Sequence, residues 1–133
     1  RTMAVQDDYV MRTITDLVKA IAGLALGKRE LDYELPGAPE NDRAADAVYR
    51  RLIAMADEGD INGAENELYE ELDTEDKSYL EMALAFYMHL NQFDDGTLFE
   101  AGYSREEIVE GINTAAAQFG ISGFEHFVDT TMV

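Results

Sequence analysis

The segment YLEMALAFYMHL, from Tyr79 to Leu90, is apolar nearly all the way round. As a helix it has no face suited to water, so other elements must surround it. That predicts a central helix in a fold whose remaining pieces wrap it. The rest of the chain supplies such pieces, because apolar residues recur at spacings of three and four. No stretch alternates over enough residues to make a strand. The only two prolines, Pro36 and Pro39, both sit in LDYELPGAPEND, which predicts a long loop over about residues 30–42. The expected fold is all-α: a single domain over residues 1–133, built as a compact array of antiparallel helical hairpins with about five main helices plus short ones.

Local signals place the helix ends. Helix one is expected over 8–26, with Asp7 or Asp8 as N-cap and Gly27 beyond its end. Val10, Ile14, Leu17, Ile21 and Leu24 form one apolar stripe; Met11, Val18 and Ala25 form a second beside it. So wide a face calls for burial on two sides or against another chain, which makes this helix a candidate dimerisation arm. Asp42 can cap helix two, whose inward face reads Ala45, Val48, Tyr49, Leu52, Ile53 and Ala56. Gly59 suits a left-handed stop, and helix three follows with Ala64, Leu68 and Leu72 inward. Asp73 or Thr74 can cap the central helix four. DDGTLFEAG reads as a helical turn or two. SREE, from Ser104 to Glu107, is a capping box that starts a helix running to about Phe119, with Ile108, Ile112, Ala115 and Phe119 inward and Gly120 as its stop. SGFE repeats the box before a short terminal helix carrying Phe124, Phe127 and Val128.

Charge narrows the function classes. Asp and Glu number 28 against 10 Lys and Arg, a formal charge of -18. That field repels phosphate backbones and anionic lipid surfaces, so neither nucleic acid nor membrane is expected as a direct partner. Cationic partners, metal ions and plain solubility are the readings it leaves. Cysteine is absent, which removes disulfides and thiolate chemistry and fits a reducing cytoplasm. No secretory signal pattern stands at the start, and the apolar run Val10 to Leu26 carries Arg12, Asp16 and Lys19, too much charge for a membrane span.

One stretch imitates a metal site. In DEGDINGAENELYEE, Glu58, Asp60 and Asn62 fall at the first, third and fifth places of a calcium loop when Gly63 takes the sixth. The bidentate glutamate required at the twelfth place is Tyr69, and Glu70 comes one residue too late. The same residue types cap helices, so the stretch is read as the turn between helices two and three. His89 and His126 lack the Glu three residues before them that di-iron bundles use; Phe86 and Gly123 stand there. Each is read as a polar edge of a packed face. Ser104 and Ser122 are explained as caps, Ser78 has no histidine at a telling spacing, and GTLFEAG lacks the lysine of a phosphate loop. Glu67 and Glu71 lie one helical turn apart and call for a cation, which Arg43, Arg50 or Arg51 on helix two can supply. No catalytic, cofactor-binding or metal-binding residue is therefore assigned, and no cofactor is expected.

EGDINGAENELYEELD, from Glu58 to Asp73, resembles the middle of a tetratricopeptide repeat, with Ile61 and Ala64 in the aromatic and small positions. Leu52, Glu71 and Asp76 depart from that pattern, and no copy follows at a period of about 34 residues. At the scale of the chain, QDDYVMRTITDLVKAI, DINGAENELYEEL and FYMHLNQFDD leading to YSREEIVEGI resemble a family of short, acidic, helical bacterial proteins of unknown function, known chiefly from Gram-positive bacteria. The resemblance runs from about Val5 to Phe127 and implies a helical fold in a bacterial cytoplasm, with no activity attached. The function expected is a non-catalytic protein–protein interaction module. Tyr49, Tyr69, Tyr79, Phe86 and Tyr87 are either core or the lining of its groove. The alternatives are a metal-dependent enzyme built on carboxylates and an acidic mimic of nucleic acid that binds a basic protein.

Overall fold

The computed structural model describes residues 2–28, 31 and 33–124, with side chains from Tyr9 onward. The described residues fold into six helices, α1 (Thr2–Leu26), α2 (Ala44–Asp57), α3 (Ile61–Glu71), α4 (Lys77–Asn91), α5 (Asp95–Glu100) and α6 (Arg105–Gln118), with a 3-10 turn at Pro39–Asn41 and no strand among them.

The apolar Tyr79–Leu90 segment is the middle of the molecule, as its composition requires. In α4 the nine residues from Tyr79 to Tyr87 are all buried, and α4 packs against α1, α2 and α6. Ile14, Leu17 and Ile21 from α1, Leu52 from α2, Ile61 and Leu68 from α3, and Ile108 and Ile112 from α6 complete the core around it. Both stripes of α1 enter this core, since Ile14, Leu17, Val18 and Ile21 are buried against α4 and α6. The width of that apolar face is thus met largely within one chain. Leu24 departs from expectation: it is 67% exposed, at the edge of a concavity that includes Leu80, Phe119 and Ile121.

Helix ends follow local chemistry where the signal is local. Gly59 adopts φ +97, Gly59 N–H bonds Ala56 O at 2.9 Å, and Asp60 N–H bonds Met55 O at 2.9 Å. This is the Schellman stop of α2. The Asp60 carboxylate then accepts from Gly63 N–H at 3.0 Å and caps α3. Arg51 on α2 pairs with Glu67 on α3 at 2.7 Å. The two lie equally far from Gly59 in sequence, as helices folded back on each other require. The capping box at α6 forms as read, with Glu107 N–H on Ser104 Oγ at 3.2 Å and Ser104 N–H on Glu107 Oε2 at 3.0 Å.

Three starts differ from the sequence reading. α1 begins at Thr2, not near Asp8; no breaker precedes the aspartates, and a cap-type residue inside a helix has no obligation to cap. α2 is capped at Arg43, not Asp42. Asp46 reaches back to Arg43 N–H at 2.9 Å, while Asp42 is drawn off to Arg50 at 2.8 Å. α4 is capped by Asp76, which accepts from Ser78 N–H at 3.0 Å; Asp73 closes the preceding turn on Glu75 N–H. The expected terminal helix falls mostly outside the described residues. Phe124 lies within them and packs on the core.

The 27–43 connection is held to the body. Tyr33 donates to Asp46, Arg50 donates to Pro36 O at 2.9 Å, and Tyr33 meets Tyr49 edge-on at 5.0 Å. Asp46 is fully buried. Burial pushes its carboxyl pKa up, but hydrogen bonds from Arg43 and Tyr33 outweigh that and bring it from 3.8 down to about 2. The folded state therefore binds this proton more weakly than the unfolded chain. The pairing is fully present above about pH 4 and lost as pH falls toward 2. We expect it to contribute about 2 kcal/mol at neutral pH. Guanidinium unfolding of Asp46→Asn against the parent should show the stability gap narrowing by that amount between pH 6 and pH 2. A gap independent of pH would contradict this assignment.

Candidate functional site

Two tyrosines donate to one carboxylate, and a third stands beside them. Glu65 lies one turn into α3, and its Oε2 accepts from Tyr87 Oη of α4 at 2.6 Å and from Tyr103 Oη at 2.8 Å. Tyr69, one turn further along α3, donates to Gly111 O of α6 at 3.0 Å and stands 2.9 Å from the Tyr87 hydroxyl. Gly111 permits this approach, because a Cβ there would fall 2.4 Å from the Tyr87 ring. Glycine in the middle of a helix usually records such a contact.

The hydroxyls are donors fixed in place. Burial, then the neighbouring hydroxyl and the Glu65 charge, push the Tyr87 pKa far above its ordinary value. Tyr103 is raised by burial and then by Glu65, and Tyr69 reaches about 12 through burial. All three stay protonated at neutral pH, so the cluster positions Glu65 and leaves no tyrosinate to act as a base.

Outside this cluster the wall turns acidic. Glu65, Glu107 and Glu110 line a groove of about 240 Å³ between α3 and α6, beside Tyr69 and Gly111. Glu65 is held by tyrosines and Glu107 by its capping bond; among the described residues none of the three pairs with a cation. Glu110 is exposed.

The residues singled out in the sequence are mostly elsewhere. Glu58, Asp60 and Asn62 do not face one point: Glu58 is the C-cap of α2, Asp60 caps α3, and the Asn62 amide donates to Ala101 O and Gly102 O at 3.3 Å. Among the described residues no three His, Asp or Glu come together as a metal-holding group. His89 pairs through Nε2 with Asp57 Oδ1 at 2.7 Å and packs its edge on Phe93; His126 lies outside the described residues. Ser78 bonds the Asp76 cap at 2.7 Å. Phe86 and Tyr79 are core, Tyr49 is half-buried, and Tyr69 and Tyr87 belong to the cluster. Of the three arginines expected on helix two, Arg51 reaches α3, Arg43 is the N-cap of α2, and Arg50 serves the loop before it. Sequence reasoning passed over Glu65, Tyr103 and Gly111. Only the isolated glycine carried a signal.

A family model matches residues 4–120. The chain belongs to DUF6483, a family of unknown function. The match runs from the first turn of α1 to beyond the end of α6, so every groove residue of this DUF6483 member lies within it. It agrees with the resemblance read from the sequence at the level of a family of unknown function. Neither a curated protein nor a solved structure matches the chain. DUF6483 membership attaches no reaction to the groove, whose reading rests on its own chemistry. No described helix is long and apolar enough to cross a membrane.

Proposed function

We propose that this protein is a non-catalytic interaction module that docks a basic protein segment in the groove between α3 and α6. The observation that carries the reading is that Glu65 from α3 and Glu107 and Glu110 from α6 line one groove without a described cation. A lysine or arginine from a partner would meet three carboxylates there and the Tyr69 ring beside them, a setting that favours a cation electrostatically and through the ring face. The formal charge of -18 steers a basic partner toward the protein and repels nucleic acid. The short-turned α2–α3 hairpin, with its tetratricopeptide-like stretch, suits a scaffold role. We place the module in a bacterial cytoplasm, a reading that the lack of cysteine supports. A homodimer through α1 is not part of the proposal, because most of that apolar face already packs inside the chain.

Affinity capture from cytoplasm at low and high salt, followed by mass spectrometry, tests the reading. The parent should retain a basic protein at low salt and release it at high salt. Glu107→Gln with Glu110→Gln should weaken retention about tenfold, on the scale of 1.4 kcal/mol. Glutamine keeps the capping box at Glu107, so the double variant loses charge and not the helix start. Equal retention by parent and double variant would sink the groove as the docking site.

A further inference from the structure

A second concavity carries the opposite chemistry. About 310 Å³ lies open between α1, α2 and α4 under the 27–43 connection, at the small end of the range for ligand pockets. Val18, Ala85 and Met88 give it an apolar floor, Leu31 lines it from the connection, and the rings of Tyr33 and Tyr49 stand edge-to-face at one side. About one residue in five of this chain is acidic, yet the described wall holds no Asp or Glu.

Three polar groups on that wall, on Lys19, Tyr49 and Gln92, can donate and have no described partner; Thr15 is bonded to Met11 O and His89 to Asp57. Lys28, Arg43, Arg50, Arg51 and Arg105 each pair with a carboxylate; Lys19, exposed at the rim, has no partner among the described residues. The Tyr33 hydroxyl is committed to Asp46, whereas the Tyr49 hydroxyl and the Gln92 amide have no described partner. Burial, then Asp57, raises the Tyr49 pKa, so its hydroxyl remains a donor. The Asp57 charge that could oppose an anion faces His89 Nε2 at 2.7 Å. The carbonyls near the C-terminal end of α4, another source of negative potential, are answered by Arg105 on Asn91 O at 2.9 Å.

We propose that this cavity binds a small monocarboxylate with an apolar body, its carboxylate met by Lys19, Tyr49 and Gln92 and its body laid on Val18, Ala85 and Met88. One ammonium and two neutral donors suit a single negative charge. A phosphate dianion would want an arginine fork or a helix N-terminus, and the wall offers neither.

Titration of the full chain with benzoate, 3-phenylpropionate and hexanoate, each beside its neutral amide, tests this by backbone amide NMR. At least one acid should saturate, with shifts centred on Lys19, Tyr49 and Met88 to Gln92, and should bind at least tenfold more tightly than its amide. Lys19→Met and Tyr49→Phe keep the exposed helix and the ring, and each should weaken that acid at least threefold. Absence of saturable binding by all three acids, equal binding of acid and amide, or unchanged affinity in Lys19→Met would each overturn the proposal.

Discussion

Gly111→Ala should destabilise the parent by about 1 kcal/mol net and should stabilise, or leave unchanged, a protein that already carries Tyr87→Leu. The added methyl would meet the Tyr87 ring at 2.4 Å, where the ring cannot retreat. It is fully buried, and its hydroxyl is bonded to Glu65 at 2.6 Å and lies 2.9 Å from that of Tyr69. Overpacking of a fixed ring costs about 1–3 kcal/mol. Against this, alanine is better than glycine inside a helix by about 1 kcal/mol. Once leucine replaces the ring, only the helical preference remains, and the sign of the effect turns over. A double-mutant cycle by chemical denaturation reads both arms. Additive effects would mean that the close approach of α4 and α6 is wrong.

Arg105→Met should be the most damaging single change at the surface of the core, at about 3 kcal/mol, or on the order of 10 °C in Tm. The guanidinium is nine-tenths buried. Its Nη1 donates to Asn91 O at 2.9 Å and to the Asn91 side chain at 3.2 Å, Nη2 donates to Phe93 O, and Nε lies 3.2 Å from Asp95. Asn91 in turn donates to Met11 O of α1 at 3.0 Å. One side chain from the start of α6 thus answers carbonyls at the end of α4, and the same contact is relayed to α1. Methionine fills the volume but leaves those acceptors unmet in a dry place, each at about 1–3 kcal/mol. Thermal unfolding of Arg105→Met and Arg105→Lys measures it; a loss under about 1 kcal/mol in Arg105→Met would show that water replaces the guanidinium.

What the sequence revealed divides by distance along the chain. The central helix, the stops at Gly59 and Gly120 and the Ser104–Glu107 box were legible because each depends on residues within one or two turns. The cap at Arg43 in place of Asp42 was not, because arginine is not a usual cap type and Asp42 is taken by Arg50, eight residues on. Asp73, Thr74 and Asp76 are equally good cap types in one short run, so residue type alone could not choose among them. The groove was hidden because its residues are far apart in sequence. Glu65 is 38 residues from Tyr103 and 22 from Tyr87, and no local pattern joins them. DEGDINGAENELYEE drew notice for its acidic residues, and the glutamate that matters most to the groove is the one at its ninth place, beside the turn rather than in it.

The connection after α1 is fastened twice within a few residues. Lys28 is paired with Glu81 on α4, and Tyr33 donates to Asp46 on α2. Exchange of a first helix between two copies of a protein needs the following loop to open as a hinge. Here opening would break both fastenings and bare Ile14, Leu17 and Ile21 before any partner could cover them. The segment that looks from its prolines like slack is therefore placed as a latch that opposes such an opening.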